Sequence, residues 1–104
     1  MYARNVSFGL KPNMQAEFAR VFENQILPLL REQKGFKEEI TLCNTGSVDA
    51  VCISLWESKT DADHYNNNTY PEVLKTLAKV IEGTPRLHTY DAVISTFHVV
   101  PAAV

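Results

Sequence analysis

The chain has 104 residues, 45% of them hydrophobic and 21% charged, with a formal net charge of −2. That length holds one domain, read here as residues 1–104, and so small a domain buries a modest share of its surface, which makes pairing with a second copy favourable. With no basic cluster and no acidic run, neither nucleic acid nor an anionic membrane is expected as a partner. The opening Met1-Tyr2-Ala3-Arg4-Asn5 lacks the apolar core of a signal peptide. The longest uncharged run, Ala92 to Val104, is too short and interrupted to span a bilayer. A cytoplasmic location is the expectation.

Tyr2 to Leu10 alternates and is rich in β-formers, so it reads as a first strand. Lys11-Pro12-Asn13 ends it, with Asn13 as N-cap of the next element. From Met14 to Lys34 the apolar residues Met14, Phe18, Val21, Phe22, Ile26, Leu29 and Leu30 fall at helical spacing, closed by Gly35. Pro28 should kink this helix near its last two turns.

Phe36 to Cys43 and Ala50 to Glu57 alternate with period two around Asn44-Thr45-Gly46-Ser47, the pattern of a hairpin. A register that pairs Leu42 with Ile53 and Ile40 with Leu55 makes one apolar face, and sets Thr41 beside Ser54 and Cys43 beside Cys52 on the other. Ser58 to Asn67 reads as a short helix, with Thr60 and Asp63 at capping-box spacing, broken by Asn66-Asn67-Asn68. Thr69-Tyr70-Pro71-Glu72 restarts it, and Val73, Leu74, Leu77, Val80 and Ile81 form its buried stripe, with Gly83 and Pro85 as stops. Arg86 to Val100 reads as a long last strand. The order β-α-β-β-α-β predicts an α+β, ferredoxin-like domain with an antiparallel sheet. Helices then cover one face of the sheet, and the apolar second face predicts a homodimer formed sheet to sheet.

Cys43 and Cys52 have no CxxC spacing, which supports neither a zinc ribbon nor a disulfide framework, and small buried thiols are the expectation. His64, His88 and His98 are not paired at helical metal-ligand spacing, so no metal is expected; His98 is placed at the dimer edge.

The stretch Ile53-Ser54-Leu55-Trp56-Glu57-Ser58-Lys59-Thr60-Asp61-Ala62 resembles the strand, Trp-x-Ser, helix signature of the antibiotic biosynthesis monooxygenase superfamily. Leu10-Lys11-Pro12-Asn13 resembles its strand-to-helix junction, where members usually have Lys-Pro-Gly, and Pro28 and Gly35-Phe36 also match its layout. The resemblance covers nearly the whole chain. It implies a dimeric α+β barrel with a pocket between the sheet and the second helix. Characterised members include quinol and polyketide oxygenases that use no metal or flavin, and others that bind and degrade haem. The haem-degrading branch uses an Asn on the first strand and a Trp and a His on the second helix. Those positions fall on Val6 and near Asn66 and Thr76, so haem breakdown by that route is not expected here.

The interrupted start of the second helix is where the resemblance places the pocket. A gap is expected there between the first strand, the first helix and residues 64–70, because a broken helix cannot press on the sheet along its whole length. Tyr65 and Tyr70 are read as the catalytic groups, able to hydrogen-bond a substrate oxygen or hold a phenolate for attack by O₂. Val6, Phe8, Phe22, His64 and Asn66 are read as substrate-binding. Packing alone would equally suit the two tyrosines, and Trp56 reads as a packing anchor. Arg4, Arg86 and His88 are placed on the outer portions of strands one and four; either arginine could hold an anionic substrate, and solvated surface charge is the expected role. The function implied is a cofactor-free monooxygenase of a phenol or quinol. The competing readings are a non-catalytic homodimer that binds a small aromatic or apolar ligand, and haem binding without degradation.

Overall fold

The computed structural model describes residues 1–96. Strands β1 (Tyr2–Leu10), β2 (Phe36–Cys43), β3 (Asp49–Trp56) and β4 (Ile81–Asp91) form one antiparallel sheet in the order β2-β3-β1-β4. Between β1 and β2 run α1 (Gln15–Val21), a π-helical stretch (Phe22–Ile26) and α2 (Leu27–Arg31). Between β3 and β4 run α3 (Lys59–Asn68) and α4 (Tyr70–Leu77). This is the split βαβ order of an α+β, ferredoxin-like domain.

The alternation of β1 has a direct consequence: Tyr2, Arg4, Val6, Phe8 and Leu10 are all buried, while the residues between them are not. They pack with Ala50, Cys52 and Trp56 of β3 and with Phe18, Phe22, Ile26, Tyr65, Val73 and Leu77 of the helical layer. One row on this inner face crosses all four strands, with Glu39, Ser54, Arg4 and Thr89 abreast. On the outer face Ile40, Ile53, Asn5 and His88 share a row, as do Leu42, Val51, Ser7 and Arg86. The outer face is therefore apolar over β2 and β3 and polar over β1 and β4.

The hairpin closes two residues tighter than the alternation suggests. Ile40 pairs with Ile53, Leu42 with Val51, Thr41 with Cys52 and Cys43 with Ala50. A shift of two preserves which residues share a face, so periodicity alone cannot separate the two registers. The turn decides: Asn44 N–H donates to Asp49 O at 2.9 Å, and Asn44 Oδ1 accepts from Gly46 N–H at 2.9 Å. Cys43 and Cys52 consequently share a face without being direct partners, and both are free.

Asn13 is not the N-cap. It adopts φ 62°, third in a turn closed by Met14 N–H to Lys11 O at 3.2 Å, and Met14 precedes the helix. With Pro12 second in that turn, the third position asks for positive φ, which Asn tolerates best after Gly. The irregularity expected at Pro28 falls just ahead of it: Pro28 enters at the start of α2, and the helix widens there, with Leu27 N–H reaching back five residues to Phe22 O. A proline lacks the N–H for the next helical bond and crowds the carbonyl four residues back, and the wider turn relieves both.

Ser58, not Thr60, caps α3, its Oγ accepting from Asp61 N–H at 3.2 Å. Thr69 precedes α4 without a side-chain cap, its hydroxyl donating instead to Gln33 Oε1 at 3.3 Å. The stripe of α4 ends at Leu77, so Val80 is buried in the following turn and Ile81 opens β4. Gly83 and Pro85 lie within β4, which begins five residues ahead of Arg86. Gly83 takes φ 70° where the register against β1 shifts, and Pro85 sits on an edge strand that tolerates its missing N–H. The end of the expected strand at Val100, and His98 with it, lie outside the described residues.

Candidate active site

Arg4 projects from β1 into the helical layer and is 3% exposed. Its Cζ lies 4.9 Å from the centroid of the Tyr65 ring and 4.4 Å from that of Tyr70. One terminal nitrogen donates to Asn66 Oδ1 at 3.0 Å. The interruption between α3 and α4 makes this possible, since Tyr65 and Asn66 come from α3 and Tyr70 opens α4. The guanidinium charge is thus held by aromatic faces and one neutral amide. Tyr65 also stacks on Trp56, centroids 4.9 Å apart, and Trp56 Nε1 donates to Ser54 Oγ at 2.9 Å.

Two strands away in the same row, Glu39 points to the same interior. Thr41 Oγ1 donates to its Oε1 at 3.4 Å, while among the described residues its buried Oε2 has no hydrogen-bond partner. Burial pushes the Glu39 carboxyl up to about 8, against the smaller opposing pulls of Thr41 and Arg4. Burial likewise raises the Tyr65 and Tyr70 phenols, with Arg4 opposing in both cases. The Cys52 thiol is pushed up by burial and by the nearby Glu39.

Between these groups lies a cavity of about 20 Å³, bounded by Arg4, Val6 and Phe8 on β1, by Phe22 and Ile26 of the π-helical stretch, by Glu39, and by Tyr65 and Tyr70. Its floor is Cys52 and Ser54. A polar void above ~10–15 Å³ can hold one water. Phe22 and Glu39 also line an open groove of about 520 Å³, which runs between the first helical segment (Phe18, Leu27, Arg31) and β2 (Thr41, Cys43). These two residues border both the cavity and the groove, and the widened π-helical turn begins at one of them.

Of the residues selected from sequence, Val6, Phe8, Phe22, Tyr65 and Tyr70 surround the cavity. Asn66 stands one step removed, holding Arg4 and bordering a surface cleft of about 250 Å³ with Tyr2 and Lys59. His64 is exposed, its Nδ1 3.2 Å from the Asn68 amide nitrogen, and does not reach the cavity. Arg4 is the main correction: it is not a solvated surface charge but the buried cation of the site, whereas Arg86 and His88 are exposed. Glu39 was missed altogether. Parity alone carried both signals, since Arg4 shares the phase of Val6 and Phe8, and Glu39 that of Thr41 and Cys43. Among the described residues no group of three or more His, Cys, Asp or Glu converges as a metal site, and no helix is long and apolar enough to cross a membrane.

No family model matches the sequence, and no curated protein does. Solved structures do match. SnoaB, a cofactor-independent oxygenase from Streptomyces nogalater, superposes with a TM-score of 0.76 at 16% identity, over 91% of this chain and 95% of that one. The monooxygenase from ActVA-Orf6 of Streptomyces coelicolor, solved in complex with nanaomycin D, gives 0.73 at 17% identity, over 97% and 92%. A Nitrosomonas europaea protein provisionally assigned as an antibiotic biosynthesis monooxygenase gives 0.74 at 16% identity, over 90% and 100%. This chain has the fold of the antibiotic biosynthesis monooxygenases.

Proposed function

We propose that the protein is a cofactor-free monooxygenase of a phenol- or quinol-type small molecule. The observation that carries this reading is the cavity itself: apolar walls and aromatic rings around one buried guanidinium. Such a site can hold a ring and stabilise an oxygen anion in a water-poor setting, where the interaction counts for more than in water. A purely apolar cavity would suit the non-catalytic ligand-binding reading better; this one carries Arg4 and Glu39. In the reaction the substrate supplies the electrons. One atom of O₂ forms a C–O bond with the ring, and the other leaves as water. The ring reaches the site from the open groove by displacing Phe22, since the cavity as it stands has room for little more than a water.

The assay uses naphthalene-1,4-diol in air. Its monooxygenation gives 2-hydroxynaphthalene-1,4-dione and one water for each O₂ consumed. With isotopically labelled O₂ the label appears in the product. Unlabelled naphthoquinone and hydrogen peroxide at the rate of buffer alone would refute the proposal.

We also propose a homodimer. Ile40 and Leu42 on the outer face are 54% and 48% exposed, and Val93 and Ile94 just beyond β4 are 80% and 89% exposed. An isologous two-fold pairing lays the apolar segment of each copy against the β2–β3 face of the other.

A further inference from the structure

Glu39 sits abreast of Ser54 and Arg4 on neighbouring strands. At the strand spacing of ~4.8 Å, the backbones of Glu39 and Arg4 are roughly 10 Å apart. Ser54 between them is short, and its hydroxyl is engaged by Trp56. Among the described residues no ion pair joins Arg4 to Glu39. The gap therefore has a cation at one end and an unpartnered carboxyl oxygen at the other. Glu39 also borders the open groove, so a molecule entering the cavity from there passes beside it. This arrangement suits one group above others: a hydroxyl that gives up its proton at one end and carries the resulting negative charge towards the other.

We infer that Glu39 is the proton acceptor for an acidic hydroxyl, phenolic or enolic, whose oxygen faces Arg4. The inference rests on the monooxygenase reading and supplies its first step. The O–H bond of the bound phenol breaks, and its proton forms a new O–H bond at Glu39 Oε2. The electron pair stays on the phenolate oxygen, towards Arg4. No other reactant is consumed, and the charge inside the cavity is unchanged. Among the described residues the titratable groups around Glu39 are Arg4 on β1, Cys43 on β2, Cys52 on β3, Tyr65 and Tyr70 on the second helical pair, Glu23 and Arg31 across the groove, and the Met1 amino group and Glu38 towards the outer face. The raised carboxyl lies near the ~10 of an ordinary phenol, which suits proton exchange between the two.

Two measurements separate this inference from the reading beneath it. The first is a carbon-13 NMR titration of the Glu39 carboxyl with and without 2-naphthol, identified by its loss in Glu39→Gln. Binding of 2-naphthol should displace the Glu39 resonance and its titration midpoint; an unmoved Glu39 overturns the inference. The second is the pH profile of naphthalene-1,4-diol oxidation. Wild type should show kcat/KM rising with pH through about 8. Glu39→Gln should lose ~10²-fold or more and that rising limb, while Glu39→Asp retains the limb, displaced. Full turnover with the same limb in Glu39→Gln overturns the inference and leaves the monooxygenase reading intact. A Glu39 that responds to 2-naphthol in a protein that oxidises no quinol supports the proton-accepting site and defeats the monooxygenase reading.

Discussion

Replacing Glu39 by Gln should make the protein's stability less dependent on pH, and the sign follows from the burial of that carboxyl. Its folded value is raised from 4.5 to about 8. Between those limits the folded chain keeps a proton that the unfolded chain has released. The unfolded state then binds fewer protons, so stability falls as pH rises through the window. At ~1.36 kcal/mol per pH unit, the rise from 4.5 to about 8 corresponds to an upper limit of about 5 kcal/mol. That is comparable with the whole stability of a small domain, ~5–15 kcal/mol. Gln has the shape of Glu without the titration, and any fixed cost of its amide is the same at every pH. Urea unfolding of both proteins should therefore show a difference that grows in favour of Glu39→Gln from pH about 5 to about 9, by a few kcal/mol. A stability difference that stays constant across that range would refute the reasoning, because Glu39 would then be ionised in both states.

Arg4→Met removes the cation that favours the ionised carboxylate, so the Glu39 midpoint should move above its present value of about 8, read by the same carbon-13 titration. An unmoved midpoint would mean that the two do not sense each other. Trp56→Ala empties a site that is 0% exposed and removes the ring on which Tyr65 stacks. It should cost ~3–5 kcal/mol in urea unfolding, and a loss below ~1 kcal/mol would show that the site collapses freely. Ile53→Asp on the outer face should convert a dimer to a monomer in analytical ultracentrifugation; a wild-type chain that is already monomeric at micromolar concentration sinks the pairing. Cys43 is half-buried and should react with a thiol reagent well before Cys52, whose thiolate is suppressed by burial. Equal rates would place Cys52 in solvent.

The fold was legible because its signals are redundant. Period-two alternation in Tyr2–Leu10, helical spacing from Phe18 to Leu30 and the hairpin all point to the same βαββαβ order. The details that escaped are those decided by a single hydrogen bond. A register two residues tighter leaves Ile40, Leu42 and Ile53 on the same face, and only the Asn44–Asp49 closure selects it. The β4 boundary escaped for a related reason. Gly83 and Pro85 usually break elements, but on an edge strand a bulge absorbs one and the missing partner excuses the other.

The site was legible in its apolar half alone. Tyr65, Tyr70, Phe22, Val6 and Phe8 announce themselves as large residues at inward phases, whichever role they serve. Arg4 and Glu39 occupy the same inward phases, but a lone charge in an alternating strand is usually a solvated one, because burial without a partner is costly. Strand phase said inward and residue type said outward, and the structure follows the phase. Among the described residues two aromatic faces and Asn66 compensate Arg4, whereas Glu39 has a long hydrogen bond from Thr41 and a weaker pull from Arg4. That asymmetry separates the two roles. Arg4 is a cation already held in place by its neighbours, available to face a ligand's oxygen without being repositioned. Glu39 has a raised proton affinity, so that once ionised it can take a proton from a bound hydroxyl, and among the described residues its Oε2 has no partner.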